Sequence, residues 1–196
     1  MGTTQVLQKC LGESLDAIHA LRVRVLMRAV EAVVAGRRLT LIDLARAGPG
    51  AERIRAPLKA LDRLLGNRHL HAERERIHAA MNRWLVRSEQ PVIVVDWSDL
   101  KADQSWHLLR AAIPVGGRTL TILDMVFPHS QQGSRKAEGQ FLQRLAQVLP
   151  SAARPILVTD AGFRTPWFRA VEAMGWQWLG RLRGTTYLKP VEAPHE

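Results

Sequence analysis

Two aspartates stand at the ends of apolar, β-branched runs. Asp96 closes the run in PVIVVDWSDLKAD (91–103), with Asp99 and Asp103 close behind, and Asp160 closes RPILVTD (154–160). A buried strand that runs into a carboxylate must find something to compensate the charge, because an unpaired charge taken out of water is costly. If the two strands are parallel neighbours, both carboxylates fall at the carboxyl edge of one sheet, where open α/β sheets gather their ligands. Carboxylates side by side repel unless a cation lies between them. Hard oxygen donors suit Mg²⁺ or Mn²⁺, which keep waters and bridge to substrate phosphate. Two such ions ~3.5–4 Å apart activate a water or 3′-hydroxyl and stabilise the leaving oxygen. Aspartate is also an ordinary turn-former at strand ends, so the pattern alone leaves both readings open.

The elements that must position this pair read as follows. SLDAIHALRVRVLMRAVEAVVA (14–35) predicts a helix with Ser14 as N-cap and Gly36 as stop. TLIDLARA (40–47) predicts a second, capped by Thr40 with Asp43 three residues on. GPG (48–50) is a turn, and 51–66 is a third helix with Pro57 in its first turn or at a kink. Residues 71–86 form a fourth helix. After Pro91 the pattern changes to strands: 91–96, then 105–115 and 118–128 joined at Gly116-Gly117 as a hairpin. A helix over 135–150, a strand over 154–160, a helix over 165–175 with Thr165 as cap, and a strand over 176–184 complete the order. The expected architecture is α/β. An all-helical part over 1–88 precedes a β-β-β-α-β-α-β core over 91–184, and 185–196 is an irregular tail. A ribonuclease H-like sheet has its first and fourth strands adjacent, which would bring Asp96 and Asp160 together.

The 196-residue chain has 46% hydrophobic residues, enough to bury a core. Its net charge is +10, with 23 Arg against 5 Lys, and arginine suits bidentate phosphate contact. The first 90 residues hold 16 basic and 9 acidic residues, the remainder 12 and 9. The helical part is therefore the stronger footprint for a nucleic-acid partner. A single cysteine, Cys10, excludes an internal disulfide and fits a reducing cytosol. No signal peptide or membrane span is expected, since arginine interrupts each apolar segment.

VDWSDL, LLRAAIPVGGRTLTILDMVFP, KAEGQFLQRLAQVLP and ILVTDAGFRTPWFRAVEAMGWQWLGRLRG, with LDRLLGNRHLH upstream, resemble the DDE-type transposases of bacterial insertion sequences. The resemblance is to the cut-and-paste, hairpin-forming group related to the transposase of the tetracycline-resistance transposon. It spans essentially the whole chain. It implies a ribonuclease H-like catalytic core behind a helical DNA-end-binding domain, with Mg²⁺ (or Mn²⁺) as cofactor. It also implies double-stranded DNA (inverted-repeat ends and target) as partner, and cleavage and strand transfer as activity. Asp96 and Asp160 are by this resemblance the first two acids of the triad and metal ligands. The third acid of such enzymes is a Glu in a Y-x2-R-x3-E-x6-K signature, and no such signature occurs here. Glu192 lies between Pro190 and Pro194, and neither it nor Glu196 falls on an expected helix. The expectation is a C-terminally truncated transposase, inefficient in chemistry on its own. It is expected in the bacterial cytoplasm with the nucleoid, and able to associate with itself or with full-length copies. The rival is a non-catalytic DNA-binding inhibitor or a decayed remnant. A third reading is a nuclease that borrows Asp99 or Asp124.

Residues 40–65 have helix-turn-helix length. Arg53, Arg55, Lys59 and Arg63 on the second helix are candidates for phosphate or groove contact, or simply a solvated face. Arg181 and Arg183, after the last strand, are candidates for backbone contact. His69, His71, Glu73 and Glu75 lack the spacing of a metal face and read as a charged helix start. His107 and His129 flank the hairpin and either approach the carboxylate edge or are ordinary strand residues. Trp97, Trp106, Trp167, Trp176 and Trp178 read mostly as core, Trp176 and Trp178 sharing one strand face, with base stacking as the alternative.

Overall fold

The computed structural model describes residues 2–48, 53–182 and 184. The chain divides into two compact units, one ending at Leu85 and the other beginning at Val86.

The first unit is all helical: α1 (Thr3–Asp16), α2 (Ala20–Gly36), α3 (Leu41–Ala47), α4 (Arg55–Leu65) and α5 (Arg68–Leu85). The single helix expected over 14–35 is in fact two. Ser14 lies inside α1, where its hydroxyl accepts from Arg83 Nη2 at 3.1 Å and caps nothing. The break falls at His19, whose Nδ1 accepts from Leu21 N at 3.2 Å and so starts α2. Leu11, Leu15 and Ile18 pack on Met27 and Ala80, giving the break its tertiary reason: both helices place apolar residues in one cluster. Gly36 is the last helical residue of α2 rather than its stop, and Arg37 takes the left-handed conformation (φ 54°). Glycine is required there for close approach, since a Cβ at Gly36 would lie 2.9 Å from the Ala47 Cβ. Thr40 caps α3 as expected, accepting from Asp43 N at 3.2 Å. A second cluster, Ala32, Leu44, Ala45 and Leu61, joins α2, α3 and α4. Pro57 falls in the first turn of α4. The helix expected from 71 begins three residues earlier because Asn67 Oδ1 accepts from His69 N and Leu70 N at 3.0 and 3.1 Å. Part of the expected 48–50 turn and the start of the helix expected from 51 lie outside the described residues.

The second unit is mixed α/β: β1 (Val92–Asp99), β2 (Trp106–Val115), β3 (Arg118–Pro128), α6 (Arg135–Val148), β4 (Ile156–Thr159), α7 (Thr165–Ala173) and β5 (Gln177–Gly180). The strand order is β3-β2-β1-β4-β5. The β1–β2 and β2–β3 pairs are antiparallel, and the β1–β4 and β4–β5 pairs are parallel. This sheet is compatible with a ribonuclease H-like domain. Gly116 (φ 53°) and Gly117 (φ 77°) make the hairpin with the two positive φ values that a tight turn matching strand twist needs. Ser134 caps α6 through Ala137 N at 3.2 Å. Ile93, Val95, Leu109, Ile122, Phe141, Leu145, Leu157 and Val171 are fully buried and form the core between sheet and helices.

Three local expectations are corrected. Strand β1 does not end at Asp96 but continues to Asp99, because β2 goes on pairing with it through Asp99↔His107. Thr165 is the first residue of α7, and Arg164 occupies the cap position with no side-chain cap. Trp176 and Trp178 do not share a core face: Trp176 precedes β5 and is buried, while Trp178 is 40% exposed.

Candidate functional site

Strand β1 is paired with β2 from Val94 to Asp99 and with β4 only as far as Val95↔Thr159, the last parallel partners of β1 and β4. Asp96 and Asp160 are the next residue on each strand. They therefore stand side by side where the parallel pairing stops, at the carboxyl edge of the two central strands. Burial pushes the Asp96 carboxyl above the ordinary range, and the Asp160 charge pushes it further, against the Trp97 backbone N–H and the Ser98 hydroxyl, which favour the ionised form. Ser98 Oγ lies 3.5 Å from Asp96 Oδ2. Asp160 is aimed by a tight turn in which its Oδ1 accepts from Gly162 N at 2.8 Å. A Cβ at residue 162 would sit 3.0 Å from that oxygen, so the turn favours glycine.

The donor chemistry of this pair fits a hard divalent cation: two carboxylates at one edge, with the Asp160 charge raising the cost of ionising Asp96. Asp99, Asp103 and Asp124 are engaged elsewhere. Arg110, the cross-strand partner of Asp96, turns its guanidinium to Asp124 in a two-point pair of 2.7 and 2.8 Å. Asp99 Oδ1 lies 2.9 Å from His107 Nδ1, off the line of a good hydrogen bond, and Asp99 Oδ2 accepts from Gln104 Nε2 at 3.0 Å. Buried His107 reaches exposed His129 on its far side, Nε2 to Nδ1, at 3.0 Å. Asp103 accepts from Ser105 N and Oγ, which hold its carboxyl below the ordinary range. Neither Asp99 nor Asp124 is thus offered to the Asp96–Asp160 pair. Among the described residues no three His, Cys, Asp or Glu side chains meet in a metal-holding group. His69, His71, Glu73 and Glu75 accordingly make no such cluster: Glu73 pairs with Arg22, and His71 Nε2 contacts Leu65 O at 2.7 Å.

Sequence reasoning missed Glu138, a buried carboxyl in α6. Burial pushes it up, and the Trp97 indole, one residue from Asp96, partly offsets this. Its position in the first helical turn reads as an ordinary dipole-complementing acid, and nothing local betrays its burial.

Arg55, Lys59 and Arg63 recur every fourth residue along α4 and are all exposed, so they share one face. Arg53 is exposed too but precedes the helix rather than lying on it. Arg181 is exposed just past β5, its backbone N–H donating to Thr159 O. Arg183, Glu192 and Glu196 lie outside the described residues.

The two carboxylates stand at the carboxyl edge of the two central parallel strands of a mixed α/β sheet. The family model "Transposase DDE domain" matches residues 87–192, and the chain belongs to that family. Comparison with curated proteins and with solved structures gives no match. No helix among the described residues is long and apolar enough to cross a membrane.

Proposed function

We propose that this chain acts in DNA transposition, with Asp96 and Asp160 as two acids of a site for metal-dependent phosphoryl transfer on DNA. The observation that carries this reading is their placement, each one residue beyond the Val95↔Thr159 pair. Asp96 and Asp160 would hold Mg²⁺ or Mn²⁺, which when bound supplies a cation to neutralise phosphate charge and activate the attacking oxygen. The chain's own part is geometric. The parallel pairing sets the two carboxylates abreast, and the Gly162 turn holds Asp160 in orientation. The helical unit supplies the DNA contact, through Arg53, Arg55, Lys59 and Arg63 on transposon-end duplex, and Arg181 and Arg183, which follow the last strand in sequence, add backbone contacts. The group is the cut-and-paste, hairpin-forming one. The partners are inverted-repeat and target DNA, with further copies of the transposase, in the bacterial cytoplasm at the nucleoid.

A second reading, a DNA-binding protein without chemistry of its own, is favoured by one observation. Among the described residues only two acids meet at the edge, without a third. Both readings share the metal pair, and its test is thermal. Mn²⁺ should raise the melting temperature of the wild type but not of Asp96→Asn. Equal shifts in the two proteins would remove the site.

A further inference from the structure

Beyond Asp160 the chain enters a cleft of about 620 Å³ that begins at Ala161 and runs between the start of α7 and the end of β5. Arg164, Arg169 and Arg181 line it, with Phe168, Trp178 and Leu182 as its apolar wall. None of these three guanidinium groups has a hydrogen-bond or ion-pair partner among the described residues. Other arginines do: Arg22 holds Glu73, Arg110 holds Asp124, and Arg154 donates to two backbone carbonyls. The one acid in the cleft wall, Glu172, already accepts from the Trp178 indole at 2.9 Å. Three guanidinium charges against one carboxylate leave the cleft lining net positive, and an anionic ligand relieves the excess.

The aromatic wall says which anion. Trp178 stacks on Phe168 at 4.2 Å between ring centres, its indole N–H is held by Glu172, and yet the residue stays 40% exposed. Gly180 makes the close approach of Phe168 possible, since a Cβ there would lie 2.6 Å from the ring. The indole is therefore backed and pinned, with surface left for a planar partner. Guanidinium groups that track a phosphate backbone beside a fixed aromatic platform are the combination that binds unpaired nucleic acid. A duplex keeps its bases stacked inward and offers phosphates but no free base face.

We propose that this cleft holds an unpaired stretch of DNA leaving the carboxylate pair, with Arg164, Arg169 and Arg181 on its phosphates and one base on Trp178. The proposal rests on the reading that Asp96 and Asp160 act on DNA, but it can be tested without metal. In EDTA, the full chain is irradiated with a deoxyoligonucleotide carrying 5-iodouracil, either single-stranded or annealed as a blunt duplex. The single strand should give a photoadduct on Trp178, mapped by peptide mass, and the duplex should not. Trp178→Leu should abolish the adduct and Trp178→Phe should keep single-strand affinity, which separates loss of the platform from misfolding. Arg164→Ala with Arg169→Ala should weaken single-strand binding by about tenfold or more and lower its salt slope by about 1.4, at ~0.7 per phosphate contact. An adduct only at other residues, equal adducts from duplex and single strand, or an unchanged salt slope would each overturn the proposal. The manganese melting test fails or holds independently of these results.

Discussion

Leu157 lies three residues before Asp160 and pairs in register with Ile93, three before Asp96, and both side chains are fully buried. This pair sits in the parallel ladder that leads to the two carboxylates. Leu157→Ala should therefore leave a cavity in the middle of the parallel ladder, at a cost of about 3 kcal/mol, within the ~2–5 kcal/mol found when buried leucine is truncated. A unit of about 110 residues unfolds with an entropy of roughly 0.23 kcal/mol/K, at ~2.1 cal/mol/K per residue. The melting temperature should accordingly fall by about 13 °C. With an m-value on the order of 1.5 kcal/mol/M, the urea midpoint should fall by about 2 M. Tryptophan fluorescence is the assay of choice, because five of the six tryptophans follow residue 86. Leu179→Ala on neighbouring β5, where the side chain is 62% exposed, is the control and should stay within about 0.5 kcal/mol. A loss below about 1 kcal/mol for Leu157→Ala, or equal losses for the two variants, would refute the claim that β1 and β4 form a close-packed ladder leading to the site.

Glu138→Gln should flatten the pH dependence of stability. Burial raises the folded pKa of Glu138, so the wild type carries this contribution in full below the unfolded pKa and loses it as pH rises through the folded one. The variant should gain on the wild type toward neutral pH in urea melts run at several pH values, and a constant difference would contradict this. Thr40→Ala should cost about 1 kcal/mol by loss of the Asp43 N–H cap, read as loss of helical circular dichroism at lower urea. If the α4 face contacts phosphates, Arg55→Ala, Lys59→Ala and Arg63→Ala together should lower the salt slope of duplex binding by about 2.7, at ~0.9 per contact. An unchanged slope would place the contact elsewhere.

The sheet was legible where local signals were strong. Gly116-Gly117 marks the hairpin, Pro91 opens the β-branched run of β1, and the 135–150 run marks α6, and these elements stand close to where pattern places them. The carboxylate pair was legible because a β-branched apolar run into an aspartate occurs twice with a helix between, and parallel pairing then does the rest. Helix α1 was not, since no capping side chain opens it and Gly12 interrupts it; Leu11 and Leu15 earn their helix from the Met27–Ala80 cluster. The length of β1 was hidden because its last residues depend on β2 and not on their own composition. The cleft was invisible for the same reason: Arg164, Arg169 and Arg181 converge only once α7 packs beside β5.

The central claim is that Asp96 and Asp160 share one cation, and iron-directed self-cleavage tests it most directly. Fe²⁺ with ascorbate and peroxide should cut the backbone next to both residues 96 and 160. Excess Mg²⁺ should suppress both cuts, and Asp160→Asn should lose both together. Cutting at only one of the two positions, or a pattern unchanged by Asp160→Asn, would contradict a shared site.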